Sequence, residues 1–107
     1  MALSALVMLV DNNGNTLYAV PAPGYVLSRS LAAGTAEAFT VPAGARFVIF
    51  SATGDFFANY TTTATVPVDV TDGSASELNP SVRSIPGITS ISVISSATPV
   101  VTASFYS

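Results

Sequence analysis

The side chains in this 107-residue chain that could take part in chemistry are six carboxylates, three arginines, four tyrosines and 26 serines and threonines. There is no His, no Cys and no Lys. Imidazole is the group most often used for proton transfer near neutral pH, so the usual general acid and base are missing. A Ser nucleophile needs a neighbouring base, and without His or Lys neither a Ser-His-Asp nor a Ser-Lys arrangement can be assembled. Cys nucleophiles, disulfides and thiolate zinc sites are excluded by composition in the same way. Asp69 and Asp72 could in principle act as a glycosidase pair, but Val68-Asp69-Val70-Thr71-Asp72-Gly73 reads as a turn and not as the wall of a cleft. Asp11-Asn12-Asn13-Gly14-Asn15 places oxygen ligands at alternate positions, as a calcium loop begins; the glycine then comes two residues early and Ala22 stands where a bidentate Glu belongs. A hairpin turn accounts for the same residues. Asn59-Tyr60-Thr61 is a formal glycosylation sequon and is assigned no role. The chain is therefore read as a non-enzyme with no catalytic residue, no cofactor and no metal ligand.

A protein without catalytic groups acts by presenting surface. Tyr18, Tyr25 and Tyr60 fall at strand ends or in loops, where an amphipathic ring suits a partner surface or a carbohydrate platform. Arg46 and Arg83 are expected to pair with a carboxylate, to lie along a sheet end, or to anchor an interface. Only 8% of the residues are charged, against about 25% in an ordinary soluble domain. A surface so weakly charged favours association with copies of itself or with another protein. A net charge of −3 with three scattered arginines cannot make the phosphate contacts that nucleic-acid binding needs, so nucleic acid is not an expected partner. The run from Ala2 to Val10 is apolar on both faces but spans nine residues, well short of the roughly 20 of a membrane helix, and it lacks the basic start of a signal peptide. Neither a membrane nor a secretory leader is expected from it. A strand of that kind needs cover on both sides, either inside its own sandwich or on another subunit. Docking on another subunit is the favoured expectation, which makes Leu3, Leu6 and Leu9 candidate contact residues.

The elements that carry these residues read as short strands. Val, Ile and Thr fill 30 positions, and Gly and Pro punctuate the chain at short intervals, while no apolar stripe of helical period runs beyond two turns. Ala5 to Val10 and Thr16 to Val20 form an expected hairpin turning at Asn13-Gly14. Gly24 to Ala36 reads as an excursion with little structure of its own. Glu37 to Val41 alternates, with Phe39 and Val41 on one face, and Arg46 to Ser51 is apolar on both faces and expected to be central. Phe56 to Tyr60 is expected to return antiparallel to it as a hairpin. Thr61 to Gly73 reads as a long loop, with an edge strand possible at Val66, Val68 and Val70. Glu77 to Ile85 precedes Pro86-Gly87, and Thr89 to Ile94 and Val100 to Tyr106 are two alternating strands. Phe39, Phe47, Phe56 or Phe57, and Phe105 are expected in the core. The fold class is all-β: an antiparallel β-sandwich or jelly roll of seven to nine short strands, in one domain over residues 1–107 whose first 20 residues form a hairpin or arm available for intersubunit contact.

The stretch Phe47-Val48-Ile49-Phe50-Ser51-Ala52-Thr53-Gly54-Asp55-Phe56-Phe57, followed by Ser76-Glu77-Leu78-Asn79-Pro80, Ile91-Ser92-Val93-Ile94 and Val101-Thr102-Ala103-Ser104-Phe105, resembles small structural proteins from the virion gene clusters of tailed bacteriophages. The resemblance covers about the last 60 residues. It implies a β-sandwich or jelly-roll protein on the capsid surface of a virion, a cement or decoration protein bridging major capsid subunits and assembling with itself as a dimer or trimer. The rival reading is a carbohydrate-binding or host-binding module of a tail or fibre, with the tyrosines as stacking platforms.

Overall fold

The computed structural model describes residues 3–5, 9, 10, 16, 17 and 21–107. Every regular element among them is a strand. β1 (Leu9–Val10) and β2 (Thr16–Leu17) pair antiparallel as a separate two-stranded ribbon, with Leu9 opposite Leu17 and Val10 opposite Thr16. That is the register an N-terminal hairpin requires; its turn, with the calcium alternative at residues 11–15, lies outside the described residues. Eight further strands follow: β3 (Val26–Ser30), β4 (Glu37–Thr40), β5 (Phe47–Ala52), β6 (Phe57–Asn59), β7 (Glu77–Leu78), β8 (Val82–Ser84), β9 (Ser90–Ile94) and β10 (Val100–Tyr106).

These eight make two antiparallel four-stranded sheets of order β3-β10-β5-β8 and β4-β9-β6-β7. Strands are nested in pairs, β3 with β10, β4 with β9, β5 with β8 and β6 with β7. Such nesting results when one long antiparallel double strand is rolled up, and the β10–β5 and β9–β6 pairings close the roll. The domain is a β-sandwich with the strand order of a jelly roll.

Alternation supplies the core. Val48 and Phe50 of β5 and Val101, Ala103 and Phe105 of β10 point inward from one sheet, facing Phe39, Phe56, Ala58, Ile91 and Val93 of the other. Phe39, Ile91, Val93, Val101 and Phe105 are all at most 1% exposed. Burial of each large side chain contributes about 1.5–3 kcal/mol. The rings of Phe50 and Phe56 meet across the sandwich with centroids 5.7 Å apart.

That contact corrects the expected hairpin from Arg46 to Tyr60. β5 and β6 lie in different sheets, and Ala52 to Phe56 arches between them so that both phenylalanines face inward. A Gly-containing turn looks the same locally whether it returns within a sheet or crosses between two, and here the need to bury both rings decides. The turn from β4 to β5 crosses likewise, through Gly44 at φ 84° with the Ala45 N–H on the Pro42 carbonyl at 3.2 Å. Two further expectations, at β3 and at Phe47, are corrected, whereas the long loop read over Thr61 to Gly73 is found, without the edge strand that was its alternative. Val26–Ser30 is a five-residue strand, held by backbone pairing along β10 although only Leu27 is half-buried. Val66, Val68 and Val70 form no strand; Val68 is 98% exposed. Phe47 lies on the outer face, half-buried, with the Arg46 guanidinium 5.8 Å from its ring centre.

The start of the described chain docks on its own sandwich. Ser4 bridges to Tyr106 in parallel register and its carbonyl accepts the Ser107 N–H at 3.0 Å. Its hydroxyl donates to the Ala22 carbonyl at 2.9 Å, and the Tyr106 hydroxyl donates to that of Pro21 at 2.8 Å.

Candidate binding site

The outer face of the β4-β9-β6-β7 sheet is built by the residues that alternate with the core: Ala38 on β4 and Ser90 and Ser92 on β9, with Ala38 opposite Ser92 in the ladder. The long β6–β7 connection folds back over part of this face, and its first residues are held by Asn59. Asn59 is 7% exposed. Its Oδ1 accepts the Thr61 and Thr62 N–H groups, each at 3.0 Å, and the Thr61 hydroxyl at 3.2 Å. Its Nδ2 donates to the Ser74 carbonyl at 3.2 Å and to the Ser76 hydroxyl at 3.4 Å. Farther along, the Ala64 N–H donates to Ser92 Oγ at 2.8 Å, and Ala64 is itself buried. The start of the connection is thus a wall fixed at both ends. Between this wall and β4 runs a groove of about 730 Å³, with Ser90, Ser92 and Ala38 on its floor, Thr61, Thr62 and Thr63 along one side, and Ile88 and Thr89 at one end.

Charge in the groove is cancelled locally. Arg29 on β3 meets Glu37 on β4, Nη2 to Oε2 at 3.0 Å, and its Nε donates to the Ala38 carbonyl at 3.1 Å. Tyr60 also lines the groove and donates its hydroxyl to Glu77 Oε1 at 2.5 Å. Glu77 in turn accepts Arg83 Nε on Oε1 at 2.9 Å and Nη2 on Oε2 at 3.2 Å. Burial, and after it the hydrogen bond and negative charge of Glu77, raise the Tyr60 hydroxyl well above the ordinary tyrosine range. Burial alone would raise the Glu77 carboxyl, but the hydrogen bonds from Tyr60 and Arg83 and the arginine charge outweigh it and hold the group below the ordinary value. The site offers hydroxyls, part of the half-buried Tyr60 side chain and paired charges, a set suited to recognition by hydrogen bonding.

Of the residues singled out in the sequence, Tyr60 is in this groove. Tyr25 is half-buried, edge-on to Phe105 with ring centres 6.2 Å apart, and belongs to the packing of the domain. Leu3 packs half-buried against the same core. Leu9 is placed only by the backbone of β1, and Leu6 and Tyr18 lie outside the described residues. Of those described with their side chains, neither Tyr25 nor Leu3 lines the groove with Tyr60. Sequence reasoning missed Thr61 to Thr63, Ser90, Ser92 and the Arg29–Glu37 pair. The serines were open to detection, because they alternate with Ile91 and Val93 and so must point outward. The sequon asparagine proves to be the internal anchor of a loop, and Asp72 takes the turn role read for it, with Oδ1 accepting the Ser74 N–H at 3.0 Å and hydroxyl at 2.6 Å. Among the described residues no three carboxylates come together in a way that could hold a metal ion. The chain matches no protein-family model, no curated protein and no solved structure.

Proposed function

We propose that this chain is a structural protein of a bacteriophage virion, a decoration or cement protein that associates with itself and with the major capsid protein on the capsid surface. The observation that carries this reading is the outer face of the β3-β10-β5-β8 sheet. Its cross-strand rows are Val26, Ser104, Ile49 and Val82, then Ser28, Thr102 and Ser51, with Phe47 beside Ser84. No strand position pointing outward on this face is charged. Val26 and Val82 are 41% and 46% exposed, so the face mixes apolar and hydroxyl groups with nothing to repel a like surface. The jelly-roll order supports the same reading, since viral capsid domains are among the proteins that use it, as does the β1–β2 ribbon, whose described residues form a two-stranded sheet of their own. A protein that binds only the assembled shell stabilises it by mass action, and the effect is multiplied over symmetry-related copies.

Mass spectrometry of purified particles, with copy number, tests the proposal directly. A stoichiometric fraction of the capsid protein is expected, and absence from the particle overturns it. Sedimentation of the purified chain, alone and as Ile49→Asp and Val82→Asp, tests the face: self-association weakened by either change is expected, and association indifferent to both removes this face from the assembly.

A further inference from the structure

We propose that the groove between β4 and the Thr61–Thr63 wall is a binding site for a neutral saccharide, a site that does not depend on the capsid reading. Three features of the groove select that chemistry. Its sides are hydroxyls, which both donate and accept and so match the alternating demands of sugar hydroxyls. Ser92 shows how: its oxygen already accepts the Ala64 N–H, leaving its own proton free to donate into the groove. The methyl of Ala38, exposed on β4, and the parts of Ile88 and Tyr60 that line the groove while the rest of each packs against the core supply the apolar patches that the C–H faces of a sugar ring require. The volume of about 730 Å³ lies within the range of small-molecule sites.

Charge excludes the competing ligands. Arg29 is the cation lining the groove and is held by Glu37 at 3.0 Å, so a phosphate, sulfate or nucleotide would meet a neutralised guanidinium and a neighbouring carboxylate. An extended peptide adding to the edge of β4 would need the Ala38 carbonyl, which already accepts Arg29 Nε at 3.1 Å. The groove is also preorganised. Asn59 fixes the backbone of Thr61 and Thr62, and Glu77 fixes the Tyr60 hydroxyl, so little ordering cost remains to be met on binding.

The test uses the whole chain, clustered on a multivalent carrier, on an array of neutral and acidic glycans, where several sites engaging at once make a weak single-site affinity visible. Binding to neutral glycans is expected. Titration of the best of them, followed by amide chemical shifts, is expected to move Thr61 to Thr63 and Thr89 to Ser92. Ala38→Trp fills the groove from an exposed strand position without entering the core, and is expected to weaken binding at least tenfold. Ser90→Ala removes one hydroxyl from the floor and is expected to weaken it severalfold, with the unchanged amide spectrum of the remaining strands certifying the fold. In the titration, which reads the affinity of each site by itself, Ile49→Asp on the opposite outer face is expected to leave the dissociation constant unchanged. No neutral glycan bound, preference for acidic glycans, shifts confined to another surface, or binding indifferent to both groove variants each overturns the proposal. Loss of affinity in that titration with Ile49→Asp alone would also overturn it, by assigning recognition to the assembly face.

Discussion

Arg83 on β8 grips Glu77 on β7 across the open edge of the sandwich, Nε to Oε1 at 2.9 Å and Nη2 to Oε2 at 3.2 Å, joining the last strand of one sheet to the last strand of the other. The opposite edge is closed in the same way, by Arg29 on β3 and Glu37 on β4. The chain has two glutamates and three arginines, so both glutamates and two of the arginines serve to tie the sheets together where the core ends. Unpaired sheet edges invite association with other strands, and a charged clamp over each edge directs contact toward the faces.

These clamps are solvated, and their contribution to stability is small. The Arg83 and Glu77 side chains are 43% and 36% exposed, so a double-mutant cycle with Arg83→Ala and Glu77→Ala is expected to give a coupling of about 0.5–1 kcal/mol, declining as salt is added. Urea unfolding of the four proteins at low and high salt measures it. A coupling that does not respond to salt would contradict a solvated ion pair.

Acid should act through the same carboxylate. Glu77 is held below its ordinary value of 4.5 in the fold, so the stability it contributes is complete above about that pH and is lost as pH falls through the lower folded value. Denaturant midpoints measured from neutral pH downward are expected to drop less steeply below pH 4.5 in Glu77→Gln than in the parent. Parallel acid limbs would remove Glu77 from the cause.

The partner of that carboxylate responds to alkali. Tyr60 ionises well above the ordinary tyrosine value of 10.0, so the fold favours its neutral form; the stability this adds is complete below pH 10 and is lost as pH rises beyond it. In an absorbance titration between about pH 9 and 11, where free tyrosines ionise, Tyr60→Phe is expected to leave the tyrosinate signal unchanged. A loss of one tyrosine's signal would show that Tyr60 titrates freely.

What the sequence reveals of this fold depends on where each strand gets its stability. β9 and β10 are legible because Ile91 and Val93, and Val101, Ala103 and Phe105, bury every second side chain, and a period of two is visible in the letters. β3 is hidden because it lives on hydrogen bonds to β10, which carry no side-chain pattern. The sheet membership of β5 and β6 is hidden because the turn at Gly54 is the same locally in a hairpin and in an arch. The clamps are hidden for a different reason: Arg29 lies eight residues before Glu37 and Glu77 six before Arg83, and only the rolled topology sets each pair at a common edge. In the groove, Tyr60 is legible as an aromatic at a strand end, whereas the threonines after it read only as a loop until Asn59 is seen to fix them.

Asn59 gives the sharpest prediction, because one buried amide serves five hydrogen bonds. Asn59→Ala leaves the Thr61 and Thr62 N–H groups without their acceptor, and each stranded donor costs about 1–3 kcal/mol where water cannot reach it and less where it can. A loss of about 2–3 kcal/mol is expected on that scale. The effect should be local. Amide exchange is expected to accelerate at Thr61, Thr62 and Ala64, while the amides of β3, β5 and β10 in the other sheet keep their relative protection, lowered only by the common loss of global stability. Asn59→Asp keeps the acceptor and loses the donor, so it should restore protection at Thr61 and Thr62 but not the links to Ser74 and Ser76. Equal acceleration in both variants would show that the wall is held by something other than the Asn59 carbonyl oxygen, and the rigidity of the groove would then need another source.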